Sequence, residues 1–168
     1  MKKMDELLCA MIEYDKKDAR RIQHFVKVHE FARLIGLSEG LDEKTQEILE
    51  AASIVHDIGI HKAEEKYGRN TGKYQELEGP GEAETLLLSL GWPQEVIARV
   101  SYLVGHHHTY SAIDGVDYQI LVEADFLVNF YEEGAMPAIR QDVYNRIFRT
   151  EGGKRLYQLM FSDGEDKA

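Results

Sequence analysis

The hexapeptide Ile54-Val55-His56-Asp57-Ile58-Gly59 sets an imidazole and a carboxylate among β-branched apolar residues. An ionised carboxylate in such company costs on the order of several kcal/mol unless a cation or hydrogen-bond donors meet it. A metal ion takes up imidazole and carboxylate together. Any fold open to this chain therefore has to carry partners to the doublet, and the other histidines and the late Asp125 are the residue types able to share one ion with it.

Helix-type spacing runs nearly throughout, with only three prolines, and predicts an all-α protein. Residues 3–14 carry Met4, Leu7, Leu8, Met11 and Ile12 as one stripe. Residues 18–37 form the clearest helix, with His24, Val28, Phe31 and Ile35 on one face and Gly36 near the end. Asp42 is placed to cap the next helix, which runs to about Asp57 and buries Ile48, Ala51, Ala52 and Val55. Residues 62–79, rich in charge and containing Gly68, Asn70, Gly72 and Lys73, read as a long loop with at most a short helix. A loop of that length in a compact domain is more often functional than incidental.

After Pro80-Gly81 a helix is expected over 82–90, ended by Gly91. Trp92-Pro93 opens another, in which Val96, Ile97, Val100, Leu103 and Val104 lead into His106-His107-His108. Residues 111–117 read as a turn and 118–131 as a strongly apolar helix containing Glu123 and Asp125. Two final segments follow Pro137 and Gly152-Gly153, and the last six residues are expected to fray.

The 168 residues fit one domain, with a core over about 18–130 and C-terminal helices over about 136–161 packed on it. The net charge of -10 disfavours a nucleic-acid polymer or an anionic membrane as a docking surface. It does not exclude a small anionic substrate, because a local metal overrides the global field. Cys9 stands alone, which excludes an intrachain disulfide and fits a reducing, cytoplasmic location. No apolar run approaches the ~18 residues of a membrane span. The charged residues 1–8 lead into no signal-peptide core.

His24 lies in line with Val28 and Phe31, as either a satisfied core histidine or a ligand, while His29 is offset beside Arg33. His56 and Asp57 point about 100° apart if helical, so one ion takes both only near a helix end or with ligands arriving from several sides. The plainer alternative is a capping aspartate beside a satisfied histidine. His107 continues the stripe of Val100, Leu103 and Val104, with His106 and His108 flanking it; a solvated helix end would carry the same triplet. Asp125 shares a face with Leu121 and Val128, and no Lys or Arg lies within a turn of it in sequence, so an ionised carboxylate there needs a cation from elsewhere.

The series His, His-Asp, His, Asp is thus delivered from different helices. With Arg21-x-x-His24-x-x-x-Val28, His56-Asp57-Ile58-Gly59 and Glu123-Ala124-Asp125, the chain over about 18–129 resembles the HD-domain superfamily of metal-dependent phosphohydrolases. The resemblance implies a helical HD bundle, with His24, His56, Asp57 and Asp125 holding a first divalent ion (Mn, Fe, Co, Ni, Zn or Mg). Asp57 would bridge to a second ion where one exists. In two-metal relatives a later histidine would fall on His107, with His108 next in line, and an earlier one near Glu78. There this chain departs from the pattern, and Glu78 is either a ligand for a hard metal or a solvated acid.

The implied activity is hydrolysis of a small phosphorylated metabolite, a nucleotide foremost, by metal-activated water. Asp57 and Lys62 would take catalytic parts, and Arg20, Arg21 and Lys73 would pair with substrate oxygens, each with a solvated surface role as the alternative. Gly72-Lys73 lacks the glycine spacing of a phosphate-binding P-loop. Two other classes stay open: a di-iron oxygenase cleaving a C–P or C–C bond, and a metal-binding domain without turnover. The oligomeric state is left open.

Overall fold

A computed structural model describes residues 2–162; the fraying expected of the last six residues lies outside them. Among the described residues there are nine helices and no strand: α1 (Lys3–Tyr14), α2 (Ala19–Ser38), α3 (Glu43–Val55), α4 (Ile60–Tyr67), α5 (Gly72–Ser89), α6 (Gln94–Val104), α7 (Val116–Glu132), α8 (Pro137–Ile147) and α9 (Glu151–Phe161). The all-α bundle expected from the spacing is the fold that forms. Asp18 accepts a hydrogen bond from Arg21 N at 3.1 Å, and Asp42 accepts one from Thr45 N at 3.0 Å, so both helix starts carry their side-chain caps.

Each cap contributes about 1 kcal/mol, whereas a fully buried Leu or Ile contributes about 1.5–3 kcal/mol. Packing therefore decides the arrangement. Helix α2 lies against α3 and α7, and α3 also meets α1 and α6, around one apolar cluster that includes Leu7, Phe25, Leu49, Ile54, Leu121 and Leu127.

The segment 62–79, expected to be a long loop, is instead most of two helices, and α5 runs unbroken through Pro80. The residues α5 buries are Gln75, Gly79, Ala83 and Leu87, four apart in sequence. Three of the four carry little or no apolar side chain, so the buried stripe leaves almost no hydrophobic signal. It is narrow because the backbones come close. A Cβ on Gly59 would lie 2.6 Å from Gly79 N and 2.7 Å from Gln75 O, and one on Gly79 would lie 2.6 Å from Val104 Cγ1. An interior proline costs about 3 kcal/mol in a free helix. Here α5 is clamped between α4 and α6, and the Tyr67 and Tyr74 rings stack at 4.2 Å across the α4–α5 turn.

Glu123, quoted beside Asp125 in the sequence motif, points the other way. Its carboxylate is fully buried and accepts from Gln119 Nε2 at 2.8 Å, Arg149 N at 2.6 Å, Thr150 N at 3.0 Å and the Thr150 hydroxyl. It ties α7 to the start of α9 and belongs to the scaffold. Gly152 and Gly153, expected to precede the last segment, lie inside the first turn of α9, where Thr150 accepts from Gly153 N.

Candidate metal centre

Four elements deliver the candidate ligands. Helix α2 presents His24, the turn closing α3 presents His56 and Asp57, the turn after α6 presents His107 and His108, and α7 presents Asp125. Each inward ring is fixed through its other nitrogen. His56 Nδ1 donates to Ser53 O at 2.8 Å, His107 Nδ1 to Val104 O at 2.8 Å, and His24 Nδ1 to Glu132 Oε1 at 2.7 Å. Carbonyl and carboxylate oxygens only accept, so all three rings carry the proton on Nδ1 and turn Nε2 inward. His106 bonds Tyr102 O at 2.7 Å and stacks on the Tyr102 ring, away from the cluster.

His24 Nε2 lies 3.2 Å from His56 Nε2, 3.3 Å from Asp57 Oδ2 and 3.1 Å from Asp125 Oδ1. His56 Nε2 lies 3.4 and 3.5 Å from the same two oxygens. Ligand atoms held by bonds of about 2.1 Å stand about 3.0 Å apart at octahedral and about 3.4 Å at tetrahedral angles. The spacing is that of one coordination shell. Asn129 Nδ2 donates to Asp125 Oδ1 at 3.0 Å and steadies that carboxylate.

A second group shares Asp57: its Oδ1 is 3.4 Å from His107 Nε2, with His108 adjoining. His107 is 1% exposed and its Nε2 has no hydrogen-bond partner, a buried lone pair aimed at a carboxylate and satisfied only by a cation or a proton. These residues fit a divalent ion at the first position and offer a smaller donor set at the second. Glu78 does not reach it: its carboxylate takes Lys66 Nζ at 2.9 Å and Tyr67 OH at 2.8 Å.

Gln75, one turn earlier, stands beside His108 instead. Its Nε2 donates to Asn70 O at 2.7 Å and its Oε1 meets His108 Nε2 at 2.8 Å. With 72–79 helical, Gln75 and Gly79 face the cluster and Glu78 turns toward Lys66 and Tyr67 of α4; reading the segment as a loop hid this. Gly72 completes the wall, because a Cβ there would lie 3.0 Å from the His108 ring.

Burial opposes charge on His56, yet Asp57 and Asp125 hold its pKa well above the usual histidine value; His24 shifts the same way more mildly. Burial also opposes charge on Asp57 and Asp125, and the facing rings hold both below the carboxylate range. Burial and the neighbouring His107 push His108 down to about 4, so that ring is neutral at neutral pH.

A pH dependence follows. With a raised folded pKa, His56 stabilises metal-free protein fully below about pH 6.5, and that stabilisation is lost as pH rises through the folded value. Asp57 and Asp125 contribute the reverse, losing their stabilisation as pH falls from about 4 through their folded values. Chelated protein should therefore melt at progressively lower temperature as pH rises above about 6.5, while metal-loaded protein should not, because an ion held by His56 Nε2 would leave no proton there to lose. Melting curves with and without chelator check this. A gap that stays constant with pH would contradict the protonated metal-free site.

The cluster floors a cavity of about 410 Å³ whose wall includes Arg20, Arg21, Asn70, Gln75 and Glu132. Arg21 is engaged by Asp18 at 2.8 Å and Glu64 at 2.8 Å. Arg20 is exposed and pairs with no acid among the described residues. The structure does not bring Lys62 or Lys73 to this wall: Lys62 Nζ pairs with Glu82 Oε1 at 2.7 Å, five residues of α4 and its preceding turn carrying it past the site, and Lys73 projects from the exposed start of α5. His29 pairs with Glu50 at 3.3 Å, outside the cluster.

Sequence reasoning missed Gln75, Asn129 and Glu132. Glu132 had a readable signal, for it falls seven residues after Asp125, on the face shared by Leu121 and Val128.

Four helical elements of an all-α protein converge on a His₂Asp₂ cluster that could hold a metal ion. Residues 21–147 match the HD domain family model, and the chain belongs to the HD-domain family. Among solved structures it is similar to a predicted HD superfamily hydrolase from an uncultured Thermotogales bacterium. The two share 27% identity at a TM-score of 0.69, over 94% of this chain and 84% of that one. No curated protein matches the sequence. No helix among the described residues is long and apolar enough to cross a membrane.

Proposed function

We propose that this chain is a metal-dependent phosphohydrolase acting on a small phosphorylated metabolite, with nucleotides the first members of that class to test. The observation that carries this reading is the juxtaposition of the His24, His56, Asp57 and Asp125 shell with an unpaired Arg20 on one cavity wall. Bound there, a divalent ion supplies a water of lowered pKa and polarises a phosphoryl oxygen. Arg20 offers a planar pair of donors to the remaining phosphoryl oxygens. Arg21, already held by Asp18 and Glu64, adds positive field from a fixed position. Asp57 presents Oδ2 to the first shell and Oδ1 to His107, so one carboxylate links both groups. Lys62 has no part in this scheme, since Glu82 holds it.

The di-iron oxygenase alternative requires a second transition-metal position, and there Gln75 Oε1 is engaged by His108 Nε2 while Glu78 is held by Lys66 and Tyr67. Metal analysis of anaerobically purified protein, with phosphate release from a panel of nucleotides and other phosphate monoesters, tests the proposal. One ion per chain and metal-dependent phosphate release are expected. Two irons per chain with a mixed-valence signal would replace the hydrolase reading, and no release with any of several divalent metals would leave a binding domain.

A further inference from the structure

Three rings aim Nε2 into the centre, and their outer partners differ in kind. His56 and His107 are held by the backbone carbonyls of Ser53 and Val104, whereas His24 donates from Nδ1 to a carboxylate, Glu132 Oε1, at 2.7 Å. We infer that Glu132 is a positioning residue of the metal centre, fixing the tautomer and orientation of His24 and strengthening its Nε2 as a donor to the ion. An anionic acceptor on the far nitrogen pushes electron density through the ring, which a neutral carbonyl does less.

The placement fits the role. Glu132 ends α7 two turns beyond Asp125, so one helix supplies both a candidate ligand and the partner of another ligand 108 residues away in sequence. Its side chain is only 12% exposed, and Lys27 Nζ approaches the same oxygen at 3.5 Å, compensating a carboxylate that otherwise sits at the edge of an acid-rich cluster. Glu132 also forms part of the cavity wall.

The inference rests on the metal reading of the site, and the experiment separates the two. Metal-free wild type, Glu132→Gln and Glu132→Ala are titrated with Co²⁺, following heat and the visible absorption of the bound ion. Removing the carboxylate should weaken Co²⁺ binding about 10–100-fold. Glu132→Gln should fall between wild type and Glu132→Ala, because its carboxamide oxygen still accepts from Nδ1. Melting of the metal-free Glu132→Gln protein should match wild type, because its carboxamide oxygen keeps an acceptor for His24 Nδ1. Wild-type affinity and an unchanged spectrum in Glu132→Ala would overturn the inference alone, as would a Gln variant no better than the Ala variant. A lowered metal-free melting temperature in Glu132→Gln, which keeps the acceptor for His24 Nδ1, would reassign the residue to the scaffold. A wild type that takes up no Co²⁺ would overturn both this inference and the metal reading.

Discussion

Replacing Asp125 by alanine is expected to abolish stoichiometric metal retention while leaving the helices in place. Asp125 Oδ1 stands 3.1 Å from His24 Nε2 and 3.5 Å from His56 Nε2, so its loss removes one of the two carboxylates of the first shell. The effect should exceed the roughly 10–100-fold loss typical of an outer partner. Alanine is the best helix former, and α7 keeps its buried apolar residues, including Leu121, Leu127 and Val128, so far-UV circular dichroism should match wild type. Metal analysis after gel filtration is the measurement. One ion per chain retained by the variant would remove Asp125 from the ligand set.

Gly59→Ala should be the most damaging small substitution in the scaffold, lowering stability by about 3 kcal/mol or more. Its Cβ would meet Gly79 N at 2.6 Å, Gln75 O at 2.7 Å and Gly79 Cα at 2.8 Å, all backbone atoms of α5. Helix α5 has little room to retreat, because Gly79 already lies against Val104. For a chain of this size the change corresponds to a fall in melting temperature of about 6–12 °C. The metal site should suffer too, since Gly59 closes the turn that carries His56 and Asp57, and Gln75 lies opposite. Gly81→Ala is the internal control: it lies in α5, the helix Gly59 abuts, with nothing within 4 Å of its Cβ, and should be neutral or more stable by up to about 1 kcal/mol. Equal melting of the two variants would contradict the close approach of α4 and α5.

The helices that pack the centre were legible because they bury side chains large enough to show a period. Helix α2 announces itself through Val28 and Ile35, and α7 through Leu121 and Val128. Helix α4 and the first half of α5 were read as a loop, because their close approach is made by Gly59, Gln75 and Gly79, which carry no apolar side chain to show a period, whereas the second half of α5 was expected as a helix over 82–90. The family pattern placed a second-position ligand near Glu78, and with the segment read as a loop nothing pointed to Gln75, one helical turn earlier, which stands beside His108. Lys62 was singled out by its place five residues beyond Asp57, and α4 turns it toward Glu82 instead.

By itself the sequence determined the all-α class. It also singled out His24, His56, Asp57, His107 and Asp125, because ionisable groups set into apolar stripes must find one another when those stripes are buried. Tertiary structure alone decided which ring nitrogens face inward, that Gln75 stands beside His108, that Glu132 holds His24, and that Arg20 lies on the cavity wall with no acid paired to it among the described residues. Those outcomes depend on hydrogen bonds between residues as far apart as His24 and Glu132. Periodicity reports which face of a helix is buried; it carries no information about the partner each polar atom meets there.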